Sequence, residues 1–181
     1  MKWMIASDIH GSAYYCQKMI GRFKAEGADR LLLLGDILYH GPRNDLPRDY
    51  NPKQVIAMLS PLKNRVLCVR GNCDTEVDQM VLPFPILADY GIIDLGGRLV
   101  YATHGHRYNP TTPPPLCPGD ILLFGHTHVP TFNSEGDFCY ANPGSVSIPK
   151  ENSPHSYAIL QGDTLAFKDI QTGDTYMTHN L

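Results

Sequence analysis

The chain has 181 residues, 43% of them hydrophobic and 18% charged, with a net charge of −3 at pH 7. That length suits a single domain over residues 1–181 whose core needs no disulfide staples. The composition is that of a soluble globular protein, and the lack of a basic tract excludes broad, sequence-independent nucleic-acid binding.

Residues 2–6 read as a short buried strand. Cys16, Met19, Ile20 and Phe23 then recur at i, i+3, i+4 and i+7, which predicts an amphipathic helix with Ser12 as N-cap and Gly27 at its close. Residues 31–34 are a second buried strand. Asn51-Pro52 offers an N-cap and N1 proline to a second helix, with Val55, Met58, Leu59 and Leu62 on its apolar face. Residues 65–69 are a third strand, and the β-α-β-α-β order predicts a parallel sheet with helices outside. Beyond residue 91 the pattern turns β-rich. Gly96-Gly97 marks a hairpin, 121–124 a buried strand, and Ser134-Glu135-Gly136-Asp137 another hairpin. Gly162-Asp163 and Gly173-Asp174 break 157–177 into a meander. An α/β half followed by a β-rich half predicts two sheets packed face to face. Residues 107–119, with five prolines, read as a stiff connector, a rim over a functional site being the alternative.

No apolar stretch approaches the ~20 residues of a membrane span, and the Met1–Ile5 start is too short for a signal peptide. Five cysteines, at 16, 68, 73, 117 and 139, lack Cys-x-x-Cys spacing and are neither a disulfide framework nor a zinc knuckle. A reducing, cytoplasmic compartment is expected. Cys16, Cys68 and Cys139 fall on apolar faces and read as core.

Five apolar runs end in polar motifs: Asp8-Ile9-His10, Gly35-Asp36, Gly71-Asn72, His104-Gly105-His106 and Gly125-His126-Thr127-His128. Singly, each is an ordinary turn or surface pair. Jointly they place four of eight histidines (His10, His104, His126 and His128) as candidate ligands beside buried strands, with carboxylates and an amide. Residues two apart share a face of a strand, so Asp8 with His10, and His126 with His128, are expected to reach one ion each as pairs. Asp36 offers a carboxylate able to bridge two ions. Oxygen and nitrogen donors without a thiolate cluster point to two hard or borderline metal ions.

In this order, Asp-x-His, Gly-Asp, Gly-Asn-x-Asp, His-Gly-His and Gly-His-x-His resemble the calcineurin-like metallophosphoesterases. His40-Gly41-Pro42-Arg43-Asn44, Arg70-Gly71-Asn72-Cys73-Asp74 and Asn142-Pro143-Gly144-Ser145 resemble their small bacterial phosphodiesterase subgroup. The resemblance implies an α/β fold, a four-layer α-β-β-α sandwich of two mixed sheets. It implies one ion on Asp8, His10, Asp36 and His128, and a second on Asp36, Asn72, His104 and His126. Manganese is the first expectation, with zinc, iron, cobalt and nickel open. The implied chemistry is in-line attack of a metal-activated water on a small phosphodiester, and the implied assembly a homo-oligomer.

Asn72, Cys73 and His104 are the catalytic candidates. Many relatives carry histidine where this chain has Cys73, and a thiol of pKa near ~8.5 is a poor substitute for an imidazolium acid. His40 or His106 replaces it, or orients a ligand. Asn72, Arg43, Arg70 and His106 are the substrate-binding candidates, guanidinium being suited to phosphate. Asp74 is expected to hold a neighbour by hydrogen bonds, and Asn142 and Ser145 to shape a turn. The alternatives are a scaffold like the retromer subunit of this fold and a phosphomonoesterase. Retention of all seven ligands counts against the first, and Cys73 with Gly35-Asp36-Ile37-Leu38 against the second.

Overall fold

The computed structural model describes residues 1–134 and 136–181, and in it eleven strands form two mixed sheets. Strands β1 (Lys2–Ala6), β2 (Arg30–Leu33) and β3 (Val66–Cys68) run parallel. Helices α1 (Ala13–Ala25) and α2 (Pro52–Leu59) connect them. Ser12 caps α1 by accepting from the Tyr15 amide, and Asn51 caps α2 by accepting from that of Gln54. Gly27 follows α1 at φ +61°, the left-handed conformation that ends a helix.

Alternation sorts the strand residues between two cores. Met4, Ala6, Leu31 and Leu33 pack with Cys16, Met19, Phe23, Val55 and Leu59 of the helices. Ile5, Leu32 and Leu34 instead meet Val100, Ala102, Ile121 and Leu123 of the second sheet. The unbroken apolar run 31–34 is thus a strand covered on both faces.

The second sheet takes β4 (Gly91–Asp94), β5 (Leu99–Ala102), β6 (Ile121–Leu123), β7 (Thr131–Asn133) and β8 (Cys139–Asn142) in the order β4-β5-β6-β8-β7. Gly96 and Gly97, at φ 65° and 100°, turn the β4–β5 hairpin. β7 and β8 also pair antiparallel, although Glu135 of their expected turn lies outside the described residues. β5 and β6 are parallel, so their connection must cross a face of the sheet, and the inner face is filled by the first sheet. The irregular, proline-rich segment therefore crosses the outer face, with Pro114 buried.

The expected meander forms. β9 (Ser156–Gln161), β10 (Thr164–Asp169) and β11 (Thr175–Asn180) join the first sheet, β9 antiparallel to β1. β1 sits inside a six-stranded sheet, and a buried β9 occupies the side that β2 leaves open. A short helix α3 (Glu76–Val81) was not expected, although its capping box of Thr75 and Asp78 is a readable signal. No helix among the described residues is long and apolar enough to cross a membrane.

Candidate metal centre

Parallel strands end at one edge, and all seven ligand candidates lie just past such ends. Asp8 and His10 follow β1, Asp36 follows β2 and Asn72 follows β3, while His104 follows β5 and His126 and His128 follow β6. Asp8, His10, Asp36, His126 and His128 have φ of 59°, 48°, 54°, 67° and 64°, and only three other described non-glycine residues have positive φ. Each such residue costs roughly 1 kcal/mol, a strain found where side chains are aimed for function.

The side chains gather in two adjoining groups. In the first, His128 Nε2 is 3.2 Å from Asp8 Oδ1, and His10 Nε2 is 3.5 Å from that oxygen and 3.4 Å from His128 Nε2. In the second, His104 Nε2 is 3.0 Å from Asn72 Oδ1 and 3.3 Å from His126 Nδ1. Asp36 Oδ2 lies between them, 3.6 Å from His10 Nε2 and 3.4 Å from His104 Nε2. His126 and His128 thus turn to different groups. The strand alternation that would pair residues two apart therefore does not carry past the end of β6.

Donor chemistry fits divalent cations. The Nδ1 atoms of His10, His104 and His128 lie 2.8, 2.6 and 2.6 Å from the carbonyls of Tyr39, Leu34 and Ile148. A carbonyl only accepts, so Nδ1 carries the hydrogen and Nε2 offers its lone pair to the centre. Asp8 Oδ1 is fully buried with no hydrogen-bond partner, which a cation would supply. Burial opposes the charged form of each of these groups. Even so, His10 and His128 hold the Asp8 carboxyl well below its usual range, and His104 holds that of Asp36 down. Reciprocally, Asp8 raises His10, and Asp36 and Asp8 raise His104 to about 9, against the pull of burial. Burial and then His104 lower His126, and the same effects push His106 down to about 4.

Backbone anchors hold these turns. Buried Asp74 accepts from the amides of Asp36 (2.8 Å), Ile37 (2.9 Å) and Gly71 (2.8 Å). Asn142 donates to Gly125 O and Thr127 Oγ1, and the Ser145 and Ser147 hydroxyls both donate to Asp8 O at 3.0 Å. At Gly71 an added Cβ would lie 2.0 Å from Asp36 Oδ1 and 2.4 Å from Asp36 N. Gly71→Ala is therefore expected to destabilise the protein by roughly 1–3 kcal/mol and to weaken metal binding. Urea unfolding without metal reads the first effect, and an unchanged midpoint would contradict so close an approach.

Above the centre opens a cleft of about 480 Å³ lined by His10, Asp36, Asn72, Cys73, His126 and His128, with Arg43 and Lys150 among the remaining walls. Of the substrate-binding candidates, Asn72 and Arg43 line it. Arg70 does not: its Nε donates to Asp74 O and its guanidinium faces Glu76. His106 is also absent from the walls, its ring 5.4 Å from that of His104. His40 packs edge-on against Tyr39 and Tyr50, likewise off the cleft. The Cys73 thiol is pushed up by burial and by the Asp36 charge. No residue of the proline-rich 107–119 segment reaches the cleft, which leaves it a connector. Lys150 went unnoticed in the sequence, since no motif surrounds it. Its amide donates to His128 O at 3.2 Å, which brings it to the rim.

The model of the calcineurin-like phosphoesterase superfamily domain matches residues 1–165. Phosphodiesterase YfcE of Escherichia coli is 46% identical over 166 residues, 92% of this chain and 90% of its own. YsnB of Bacillus subtilis, a probable metallophosphoesterase, is 26% identical over 88% of this chain and 83% of its own. The solved structure of the YfcE phosphoesterase from E. coli superposes with a TM-score of 0.96 at 43% identity, covering 99% of each chain. Vps29 from Entamoeba histolytica, complexed with zinc, superposes at 0.67 with 19% identity over 99% of each chain, a likeness of fold. With that match over most of its length, and with carboxylates and imidazoles gathered where parallel strands end, this chain belongs to the calcineurin-like phosphoesterase superfamily.

Proposed function

We propose that the chain is a phosphoric diester hydrolase working with two divalent ions. The observation that carries this is Asp36 Oδ2, set between His10 Nε2 at 3.6 Å and His104 Nε2 at 3.4 Å, as a carboxylate shared by two ions would be. Asp8, His10, Asp36 and His128 hold one ion, and Asp36, Asn72, His104 and His126 the other. Manganese suits these donors, as do zinc, iron, cobalt and nickel. Bound ions supply a water of lowered pKa and neutralise charge on the phosphoryl oxygens.

The chain's own residues supply orientation and charge. Arg43 and Lys150 draw the anionic substrate into the cleft, and Asn72, its oxygen turned to His104, presents an amide beside it. Cys73 stands where many relatives carry histidine, and neither His40 nor His106 lines the cleft in its stead. The site therefore lacks an imidazolium donor for the leaving oxygen, which favours diesters with good leaving groups. The 46% identity to a phosphodiesterase supports the same class. Five free cysteines suit a reducing, cytoplasmic compartment.

Chelation followed by reloading with each ion tests this. Aryl phosphodiester hydrolysis is expected to vanish and return with manganese, and alkyl phosphomonoesters to react roughly 10²-fold more slowly. Equal turnover of the two substrates would refute the diesterase reading, and a protein that binds no metal would point to a scaffold.

A further inference from the structure

We infer that Cys73 is a conditional ligand of the metal centre: a thiophilic divalent ion such as Zn²⁺ or Cd²⁺ takes its Sγ, whereas Mn²⁺ leaves it a free thiol. This rests on the metal-centre reading above and extends it to the choice of ion. Cys73 Sγ, a ring nitrogen of His10 and a carboxylate oxygen of Asp36 all lie within 4.8 Å of one another, and all three residues are buried. Bonds of ~2.0–2.3 Å hold neighbouring nitrogen, oxygen and sulfur ligands roughly 3–3.6 Å apart, and the sulfur would join Asp8, His10, Asp36 and His128 as a fifth ligand. His10 Nε2 and Asp36 Oδ2 already stand 3.6 Å apart, the spacing such an ion needs, with Sγ beside them.

Two further contacts prepare the sulfur. The Cys73 amide donates to Asp36 Oδ1 at 2.8 Å, which ties the residue to the shared carboxylate. The Asn72 side-chain amide, its oxygen 3.0 Å from His104 Nε2, donates to Sγ at 3.2 Å, a donor suited to a thiolate. Nearby, buried Asp8 Oδ1 has no hydrogen-bond partner. On coordination the sulfur–metal bond forms, the thiol proton leaves to solvent and no electron is transferred. Softer ions gain from sulfur, while manganese prefers oxygen and nitrogen. Because Cys73 lines the cleft, its sulfur then takes the coordination position facing substrate. Thiophilic ions bind more tightly and block the site.

Cadmium titration of the full chain, followed by ultraviolet absorbance, tests this in a Cys117→Ser background that removes the exposed thiol. A sulfur-to-cadmium charge-transfer band is expected at one sulfur per chain and is absent from Cys73→Ser and Cys73→Ala. In direct binding, both variants lose roughly tenfold in their preference for Zn²⁺ over Mn²⁺ and keep their Mn²⁺ affinity. Cadmium binding with no band, or a band that survives both substitutions, overturns the inference and leaves the metal centre standing. Loss of Mn²⁺ affinity in both variants overturns its conditional part. A wild-type chain that binds neither ion overturns the underlying reading as well.

Discussion

Asp36→Asn is expected to lower kcat/KM for an aryl phosphodiester by at least roughly 10²–10³-fold. The amide can sit in only one useful way. Asp36 Oδ1 accepts from the Cys73 amide at 2.8 Å, so the asparagine oxygen stays there and its NH₂ replaces Oδ2. That NH₂ then faces His10 and His104, pointing hydrogens where the shared carboxylate offered charge. Both ions are held less well, and metal content by elemental analysis falls with activity. Wild-type metal content together with wild-type diesterase activity would exclude Asp36 as the bridge.

Asp74→Ala is expected to cost roughly 3–5 kcal/mol of stability, because each stranded buried donor costs about 1–3 kcal/mol. Its carboxylate accepts from three amides, those of Asp36, Ile37 and Gly71, and thereby ties the end of β2 to the end of β3. Asp74→Asn keeps one oxygen acceptor and should fall between wild type and alanine. Urea unfolding of the metal-free protein ranks the three. An alanine variant as stable as wild type would mean that other groups or water take over those amides.

Much of this architecture is legible in the residue pattern. Apolar runs ending in Asp-x-His, Gly-Asp, Gly-Asn and His-x-His mark strand ends, and the capping residues Ser12 and Asn51 act as such. What escaped depends on partners distant in sequence. Nothing local to 156–161 says that it will pair with residues 2–5 of the first sheet. Lys150 reaches the cleft through a backbone bond to His128. Arg70, although beside a ligand motif, is drawn to Asp74 O, since adjacency in sequence does not decide which wall a side chain joins. The separation of His126 from His128 is implied by the family resemblance but not by strand alternation, which ends with β6.

The candidate ligands come from both sheets: Asp8, His10, Asp36 and Asn72 from one, His104, His126 and His128 from the other. Apart from loop contacts, the two sheets are joined through an apolar layer with no directional bonds of its own. Sliding one sheet by a single residue, about 3.3 Å, would carry half the donors out of reach. The ion-binding end therefore acts as a gauge of alignment between the two sheets. A substitution deep in the layer between them, far from any donor, can disable the centre simply by letting the sheets rest a fraction of a residue out of step.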